Sequence, residues 1–382
     1  MGSYSIAVLP GDGIGPEVIA HAVRFLDAVD RHTETHFEVL NIPCAGSYFA
    51  EHGKEWADGS LERCKQADAI MLGAIGHIGP NGKPVRRDDG ELAGYEQVIG
   101  IRMKLDLYAN MRPIKLYPGV KHLVSGRFSE VWSPENVDMV VFRENTEGAY
   151  AKGSFTIERA GVVESTTSPT IITRKGSERI CRRAFELAMQ RSGAPGDGIQ
   201  RVTCVEKSNV LAAHRLFRDV FREVGAEFPE VKQDFAYIDA YCHNLVREPE
   251  RYDVVVAPNL PGDVITDLGS ALQGGMGMSA SGNIGDHHAM FEPVHGSAPD
   301  IVGQEKANPV ASIVSVALML NWLAERHNDP ALAQCGQALD TAVANALADG
   351  SALCSDVGGD ANTSASANAV MAHFEKQLHL LN

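Results

Sequence analysis

Short apolar runs of strand length alternate with amphipathic stretches along most of the chain, which narrows the possible folds more than any other feature. The strand-like runs lie at 5–9, 37–42, 67–75, 138–142, 201–205, 235–240 and 253–257. From residue 17 onward the apolar side chains recur at the spacing of one helical face, and 177–191 and 310–324 are further predicted helices. This alternation predicts an α/β protein with a largely parallel sheet.

The length and the glycine and proline distribution bear on the domain organisation. The chain has 382 residues, and about 150 residues per domain predicts two domains. Glycine and proline cluster at 76–84 and again at 274–285, and no low-complexity linker is visible. We expect a chain that leaves one domain and later returns to it.

Charge and cysteine content exclude several classes of protein. Lys plus Arg is 34 and Asp plus Glu is 49, and the resulting net charge of −15 disfavours binding to nucleic acid or anionic membranes. No apolar run reaches the ~18 residues of a membrane-spanning helix, and the segment 4–10 lacks the features of a secretory signal. The seven cysteines are widely spaced and form no CxxC, so we expect free thiols and a cytoplasmic location.

The turn GDGIGP at 11–16 follows the first predicted strand and precedes a helix. It lacks the third glycine of the GxGxxG pattern, so it is a weak signal for a Rossmann-type dinucleotide cradle. The alternative is a tight strand-to-helix turn, with Pro16 at the first helical position and Glu17 near the positive end of the helix dipole.

Two aspartates in a predicted helix form a candidate metal site. Asp263 and Asp267 are four residues apart, which places both carboxylates on one helix face. Their repulsion would be relieved by a hard divalent cation, Mg²⁺ or Mn²⁺, bound together with substrate oxygens. Asp239 follows another predicted strand and is a possible third ligand. A helix start that merely carries acidic residues is the alternative.

Three arginines and two proton-transfer candidates complete the polar pattern. Arg102, Arg112 and Arg143 stand at the ends of apolar segments, where guanidinium groups could bind a di- or tricarboxylate. Taken alone, an arginine in such a place is more often a surface or ion-paired residue. Tyr150 and Lys207 are candidate acid/base groups. We expect burial and nearby cations to lower the pKa of the Tyr150 phenol toward neutrality.

A polar turn near residue 300 is a candidate adenosine site. His295 to Asp300 reads HGSAPD, and Asn308 follows it before a proline. An acid such as Asp300 can bond the ribose hydroxyls and repel a 2′-phosphate, which favours NAD over NADP. An ordinary turn rich in Asp, Ser and Pro is the alternative.

Taken together, these segments resemble the β-decarboxylating dehydrogenases. The matching pieces occur in the family's order and cover nearly the whole chain: GDGIGPEV at 11–18, IRMKLDLYANMRP at 101–113, RENTEGAY at 143–150, EKSNVL at 206–211, Asp239, NLPGDVITD at 259–267 and HGSAPDIVGQEKANP at 295–309. The resemblance implies an isopropylmalate dehydrogenase-like fold of two α/β domains with the active-site cleft between them and a non-Rossmann dinucleotide site. We expect 1–107 plus 274–382 to form the cofactor-binding domain, and 108–273 the substrate, metal and dimerisation domain.

The resemblance also implies a role for each matching residue. Arg102, Arg112 and Arg143 resemble the carboxylate clamps, Tyr150 the acid that protonates the enol, and Lys207 the group that assists deprotonation of the substrate hydroxyl. The Mg²⁺ or Mn²⁺ ligands would be Asp239, Asp263 and Asp267. In the family the lysine and the first of these aspartates come from the neighbouring subunit, which implies a homodimer. The implied NAD site comprises His295, Gly296, Ser297, Ala298, Pro299, Asp300 and Asn308.

In this family, the stretch before the arginine that corresponds to Arg102 contacts the variable side arm of the malate. This chain has Val98 and Ile99 there, which suit an apolar arm, and 3-isopropylmalate is our first choice of substrate. Other signals conflict, because RENTEGAY is closer to the isocitrate and tartrate branches, and NLPGD replaces the usual NLFGD or NLYGD. Isocitrate or homoisocitrate, D-malate or tartrate, and the substrate of a specialised biosynthetic paralogue remain open. A non-catalytic regulatory subunit is disfavoured because no catalytic Tyr, Lys or Asp is missing.

Overall fold

The computed structural model describes residues 2–151 and 153–381. Within these ranges the strands are β1 (Ser3–Leu9), β2 (His36–Asn41), β3 (Ala69–Leu72), β4 (Ala109–Lys115), β5 (His122–Val124), β6 (Arg127–Ser129), β7 (Asp138–Glu144), β8 (Phe155–Arg159), β9 (Val162–Thr167), β10 (Arg201–Glu206), β11 (Lys232–Tyr237), β12 (Val254–Ala257), β13 (Ala280–Ile284) and β14 (Ala289–Pro293). The α-helices are α1 (Gly15–His32), α2 (Ala45–His52), α3 (Ser60–Gln66), α4 (Ile101–Lys104), α5 (Arg174–Gln190), α6 (Ala212–Gly225), α7 (Ile238–Arg247), α8 (Asn259–Leu272), α9 (Val310–His327), α10 (Pro330–Ala348) and α11 (Thr363–Leu381). A single π-helical turn, Glu96–Gly100, directly precedes α4.

These elements confirm the α/β class, with one local correction. The strand predicted at 235–240 is wrong in its second half, because the chain leaves β11 after Tyr237 and enters α7 at Ile238. Asp239 therefore lies in the first turn of a helix, where its negative charge complements the helix dipole. The turn at 11–16 leads into α1 with a proline in the first helical turn, as the sequence predicts.

The chain divides into two compact units, of which the first comprises residues 2–107, 115–134 and 270–381. Five of its strands lie in the order β13-β14-β3-β1-β2, where all neighbouring pairs are parallel except β13 with β14. Strands β5 and β6 form a separate antiparallel pair. Helix α9 packs against α10 and β14, and its side chains are mostly buried, as its apolar sequence predicts. The burial of α9 fixes the position of the loop that precedes it.

The second unit comprises residues 108–114, 135–151 and 153–269, with strands in the order β11-β10-β12-β7-β4. The pairs β11–β10, β10–β12 and β12–β7 are parallel. The carboxyl ends of parallel strands meet at one edge of a sheet. Arg143, at the end of β7, therefore lies at the same edge as Lys207 after β10 and the start of α8 after β12. In open α/β sheets this edge is where ligands bind.

Residues 115–134 group with the first unit, although we expected them in the region 108–273. Specific contacts within the first unit account for this placement. Lys115 Nζ donates to Asp340 Oδ2 at 2.6 Å, and the buried ring of His122 contacts the Leu272 carbonyl through Nε2 at 3.0 Å. The roles that we assign to the two regions stay predictions.

Two further observations concern the whole described chain. All seven cysteines are free, and six of them are buried. Among the described residues there is no helix that combines the length and the apolar character needed to cross a membrane.

Candidate active site

Helix α8 carries the two aspartates that define the centre of the candidate site. The chain leaves the buried strand β12 at Ala257 and begins α8 at Asn259, so Asp263 and Asp267 lie one helical turn apart, as their spacing predicts. Asp263 is partly exposed and Asp267 is exposed. The helix therefore presents two neighbouring carboxylates at its surface.

Two buried arginines of the second unit face these carboxylates. Arg143, at the end of β7, donates through Nη1 to Asp263. Arg112, on β4, lies 3.5 Å from Asp263 Oδ1 through Nη2 and 3.4 Å from Asp267 Oδ1 through Nη1. The guanidinium charges offset the repulsion between the two carboxylates, and the carboxylates stabilise cations that are largely removed from water.

Polar side chains of β4 and α8 hold the two guanidinium groups in place. Arg112 donates to Asn110 Oδ1 at 2.7 Å and to Thr266 Oγ1 at 2.6 Å. Arg143 donates through Nε and Nη2 to Asn259 Oδ1, at 3.1 and 2.8 Å. The sequence did not indicate Asn110, Thr266 and Asn259 as functional residues, although they lie in the family-like segments 101–113 and 259–267. Their closeness in sequence to the arginines and aspartates was the one available signal.

A close approach between α8 and β7 depends on Gly262. A Cβ atom added there would lie 2.7 Å from both Cβ and Cγ of Arg143, a distance that real Cβ contacts essentially never show. The absent side chain lets the helix lie directly against the arginine stem, which brings Asp263 to the guanidinium.

Tyr150 also belongs to this cluster. Its phenol donates to Asp263 Oδ2 at 2.9 Å, and the Arg143 guanidinium carbon lies 5.5 Å from the ring centroid. Burial raises the pKa of the Tyr150 phenol, and the hydrogen bond to Asp263 raises it further. Our expectation of a lowered pKa was wrong, because burial disfavours the charged phenolate and the nearest full charge on the hydroxyl is negative.

Lys207 and Asp239 form a separate pair within the second unit. Lys207 follows β10 and donates through Nζ to Asp239, and this bond lowers the pKa of the Asp239 carboxyl. Across residues 2–151 and 153–381, no three His, Cys, Asp or Glu side chains gather in a way that could hold a metal ion. One protomer therefore does not bring the three predicted metal ligands together.

The first unit holds Arg102 and the residues proposed to read the substrate side arm. Arg102 is buried in α4 and donates through Nη2 to Glu292 Oε1 at 2.8 Å, a partner that the sequence analysis missed. Val98 and Ile99 lie in the π-helical turn and are half-buried. Single π-helical turns are frequent at functional sites because they alter which side chains share a helix face.

The predicted adenosine loop follows β14 and is joined to the first turn of the chain. The Ile14 backbone N–H donates to the Ser297 carbonyl at 2.9 Å. His295 Nε2 is buried and has no hydrogen-bond partner in the protein, and burial lowers the pKa of this ring. A buried polar atom without a partner costs free energy, so the loop suits a bound polar group at His295. Asp300 is exposed beside it.

The Asn308 side chain is bonded on both sides within the protein. Its Nδ2 donates to both carboxylate oxygens of Asp356 at 3.1 Å, and its Oδ1 accepts from the Val310 backbone N–H at 3.1 Å. Both ends of the amide are thus used within the protein, where they fix the start of α9.

The parallel strand ends, the paired aspartates and the arginines facing them define a class of enzyme. The chain belongs to the isocitrate/isopropylmalate dehydrogenase family, which it matches over residues 5–370. It is therefore a decarboxylating dehydrogenase, and the predicted fold and enzyme class are confirmed.

Individual relatives agree with this assignment. The chain is 42% identical over 326 residues to a 3-isopropylmalate dehydrogenase of Thermobifida fusca (strain YX), covering 84% of this chain and 86% of the relative. It is 40% identical to a 3-isopropylmalate dehydrogenase of Streptomyces coelicolor, covering 94% and 99%. Among solved structures, an isocitrate dehydrogenase from Methylococcus capsulatus matches with a TM-score of 0.79 at 31% identity, covering 97% of this chain and 99% of that one. A β-decarboxylating dehydrogenase from Thermococcus kodakarensis gives a TM-score of 0.74 at 34% identity, covering 99% and 98%.

Proposed function

We propose that the chain catalyses the NAD- and Mg²⁺- or Mn²⁺-dependent oxidative decarboxylation of a 3-substituted (R)-malate, with 3-isopropylmalate as first choice. The observation that carries the proposal is the cluster on α8, where Asp263 meets both buried arginines and the Tyr150 phenol. Relatives named 3-isopropylmalate dehydrogenase support the choice of substrate.

The charges of the cluster suit a divalent cation together with a dicarboxylate. Arg112 and Arg143 balance Asp263 and Asp267, so adding a divalent cation and a dianion leaves the total charge unchanged. Carboxylate oxygens are the donors that Mg²⁺ and Mn²⁺ prefer, and guanidinium groups bind carboxylates in a bidentate manner. We assign the metal to Asp263, Asp267 and Asp239, and the substrate carboxylates to Arg102, Arg112 and Arg143.

The remaining chemistry divides between the bound groups and the side chains. The metal ion would polarise the substrate hydroxyl and carbonyl oxygens, and NAD would accept the hydride. Lys207 would assist removal of the hydroxyl proton. Tyr150 would donate a proton to the enolate carbon left when CO₂ departs.

We propose a homodimer with shared sites, because Lys207 and Tyr150 have different carboxylate partners within one protomer. Lys207 is bonded to Asp239, whereas Tyr150 is bonded to Asp263. We infer that the first pair completes the site of a second copy. The two-stranded arm β8–β9 supports this, because every residue in it is exposed and a lone hairpin is only marginally stable in water.

The helix face beside Asp263 and Asp267 offers the second copy an apolar surface. A cavity of about 340 Å³ lies between α8 and the segment of Lys207 and Asp239, and its walls include Leu211, Ile238, Leu260 and Val264. Leu260 and Val264 are 44% and 48% exposed and lie one helical turn apart, and contiguous exposed apolar side chains mark interaction sites. A second protomer packed there would bury them.

We assign NAD to the loop His295, Gly296, Ser297, Ala298, Pro299 and Asp300. The buried, unpartnered Nε2 of His295 supports a polar ligand there, and the exposed Asp300 carboxylate disfavours a 2′-phosphate. Asn308 would contribute through the position of its backbone, because its side-chain amide is already bonded. The free thiols support the expected cytoplasmic location.

The substrate assignment can be tested by steady-state turnover of a panel of hydroxy acids. Purified protein with Mn²⁺ is expected to form NADH with 3-isopropylmalate more efficiently than with isocitrate, homoisocitrate, tartrate or D-malate. Treatment with a chelator should abolish NADH formation. Efficient use of D-malate without turnover of 3-isopropylmalate would reject the first choice, and full activity after thorough chelation would reject the metal-dependent mechanism.

A further inference from the structure

Glu55 is a buried acid that no part of the proposed chemistry uses. It lies in the loop after α2 and is 6% exposed. Its carboxylate accepts hydrogen bonds from three successive backbone N–H groups: Gly94 at 2.7 Å, Tyr95 at 3.1 Å and Glu96 at 3.0 Å. A buried carboxylate is costly unless it is hydrogen-bonded, and here the partners are the first amides of another segment, about forty residues away.

The segment that Glu55 holds is the one that carries Val98 and Ile99. Gly94 begins it with φ +102°, and a Cβ atom there would lie 2.3 Å from Ile75 Cγ2, so the chain enters the turn along a tightly constrained path. The π-helical turn follows at once. The N–H of Glu96, the first residue of this turn, has no acceptor within the helix, and Glu55 supplies one. The Tyr95 N–H is shared between Glu55 and the Leu92 carbonyl, which lies at 3.1 Å.

Charged side chains brace the outer face of the same segment. Arg87 Nη1 lies 3.6 Å from Glu55 Oε2 and 3.7 Å from Glu96 Oε1. Lys104, at the end of α4, also pairs with Glu96. The Glu55 carboxylate is the buried member of this group, whereas the other contacts are partly exposed and screened by solvent.

Arg102 is anchored separately from Glu55. Its guanidinium donates to Glu292, and its carbonyl accepts from the Leu107 N–H at 2.8 Å. Loosening the first turn of the segment should therefore move Val98 and Ile99 more than it moves Arg102.

We propose that Glu55 is a positioning residue that sets the side-arm specificity of the enzyme by fixing the start of the segment 94–104. The proposal rests on the proposed function, in which Arg102 binds a carboxylate, and on the sequence-based expectation that Val98 and Ile99 contact the side arm. Replacing Glu55 with glutamine removes the charge and places an amide NH₂ among N–H donors. Val98 and Ile99 are then no longer held in one position against the substrate side arm. D-malate has no side arm, so its binding does not depend on these contacts.

The test is the ratio of kcat/KM for the best 3-substituted malate to kcat/KM for D-malate. This ratio does not depend on the fraction of folded enzyme, so a partial loss of stability does not obscure it. We expect it to fall about tenfold in Glu55→Gln, chiefly through the substituted substrate. It should stay at the wild-type value in Glu51→Gln, a control in which the acid is 76% exposed on α2. An unchanged ratio in Glu55→Gln, or equal losses on both substrates, would overturn the proposal.

Hydrogen exchange on the same samples separates this proposal from the proposed function. Faster exchange in the peptide that spans 94–104 is expected in Glu55→Gln and not in Glu51→Gln. Unaltered exchange would show that Glu55 does not hold the segment, whatever the substrate. Wild-type protein that oxidises no member of the panel would reject the proposed function, and exchange would still decide whether Glu55 fixes the segment.

Discussion

The backbone N–H of Lys207 donates to Nδ1 of His214 at 2.9 Å. His214 is buried in α6, and its Nδ1 can accept this bond only when that nitrogen carries no proton. Burial lowers the pKa of the ring, which Glu206 partly opposes, so His214 is held neutral at physiological pH. The loop that carries Lys207 is therefore fixed by an uncharged histidine.

This arrangement predicts a loss of stability in mild acid. The unfolded chain binds a proton at His214 near pH 6.5, whereas the folded chain resists it, so stability is complete above that pH and falls as the pH drops toward the lower, folded pKa. We expect the Tm of the wild type to decrease between pH 7 and pH 5, and a His214→Asn variant to show a shallower decrease. The exposed His52→Asn is the control. An equal slope in all three proteins would contradict the prediction.

The proposed sharing of active sites between two protomers predicts complementation between two impaired variants. Lys207→Met should abolish turnover alone, and Asp263→Asn should retain only about one hundredth of it. Refolding them together at equal amounts is expected to restore about one quarter of wild-type activity, because half of the dimers are mixed and each mixed dimer has one intact site. Mixed dimers without activity would show that Lys207 and Asp263 of one protomer act together.

Loss of one α8 carboxylate should weaken metal binding and leave the arginines without their partner. In Asp263→Asn we expect kcat to fall about 100-fold and the Mn²⁺ concentration at half-maximal activity to rise. Calorimetric titration with Mn²⁺ measures the second effect directly. Asp58→Asn, with a side chain 88% exposed, should behave as the wild type. Wild-type Mn²⁺ affinity in Asp263→Asn would remove this residue from the metal site.

The exposed carboxylate of Asp300 predicts the cofactor preference. The wild type should use NAD with a higher kcat/KM than NADP, and Asp300→Asn should narrow the difference about tenfold by removing repulsion of the 2′-phosphate. Asp27→Asn, an exposed acid on α1, is the control. A wild-type preference for NADP would show that Asp300 does not act in this way.

Periodicity and spacing predicted most of what depends on local sequence. The helix that carries Asp263 and Asp267, the buried α9 and most parallel strands follow from apolar patterns. The hydrogen bonds that Glu55 and Glu292 accept could not be predicted from local sequence. Their donors lie about 40 and 190 residues away along the chain. The direction of the Tyr150 pKa shift was also missed, because it depends on which charge touches the hydroxyl.

Gly262 allows α8 to pack closely against Arg143 of β7, and replacing it with alanine tests whether the site needs this contact. In Gly262→Ala the new Cβ would meet the Cβ and Cγ atoms of Arg143, so α8 or the arginine must shift. We expect the free energy of unfolding to fall by about 1–3 kcal/mol. We also expect kcat/KM to fall by more than the loss of folded protein explains, because displacement of Arg143 also displaces the partner of Asp263. In the control Gly79→Ala, the added atom makes only ordinary contacts, the nearest at 3.4 Å. Denaturant unfolding and steady-state kinetics measure the two effects, and a Gly262→Ala enzyme with wild-type kcat/KM would show that α8 can move away from β7 without disturbing the chemistry.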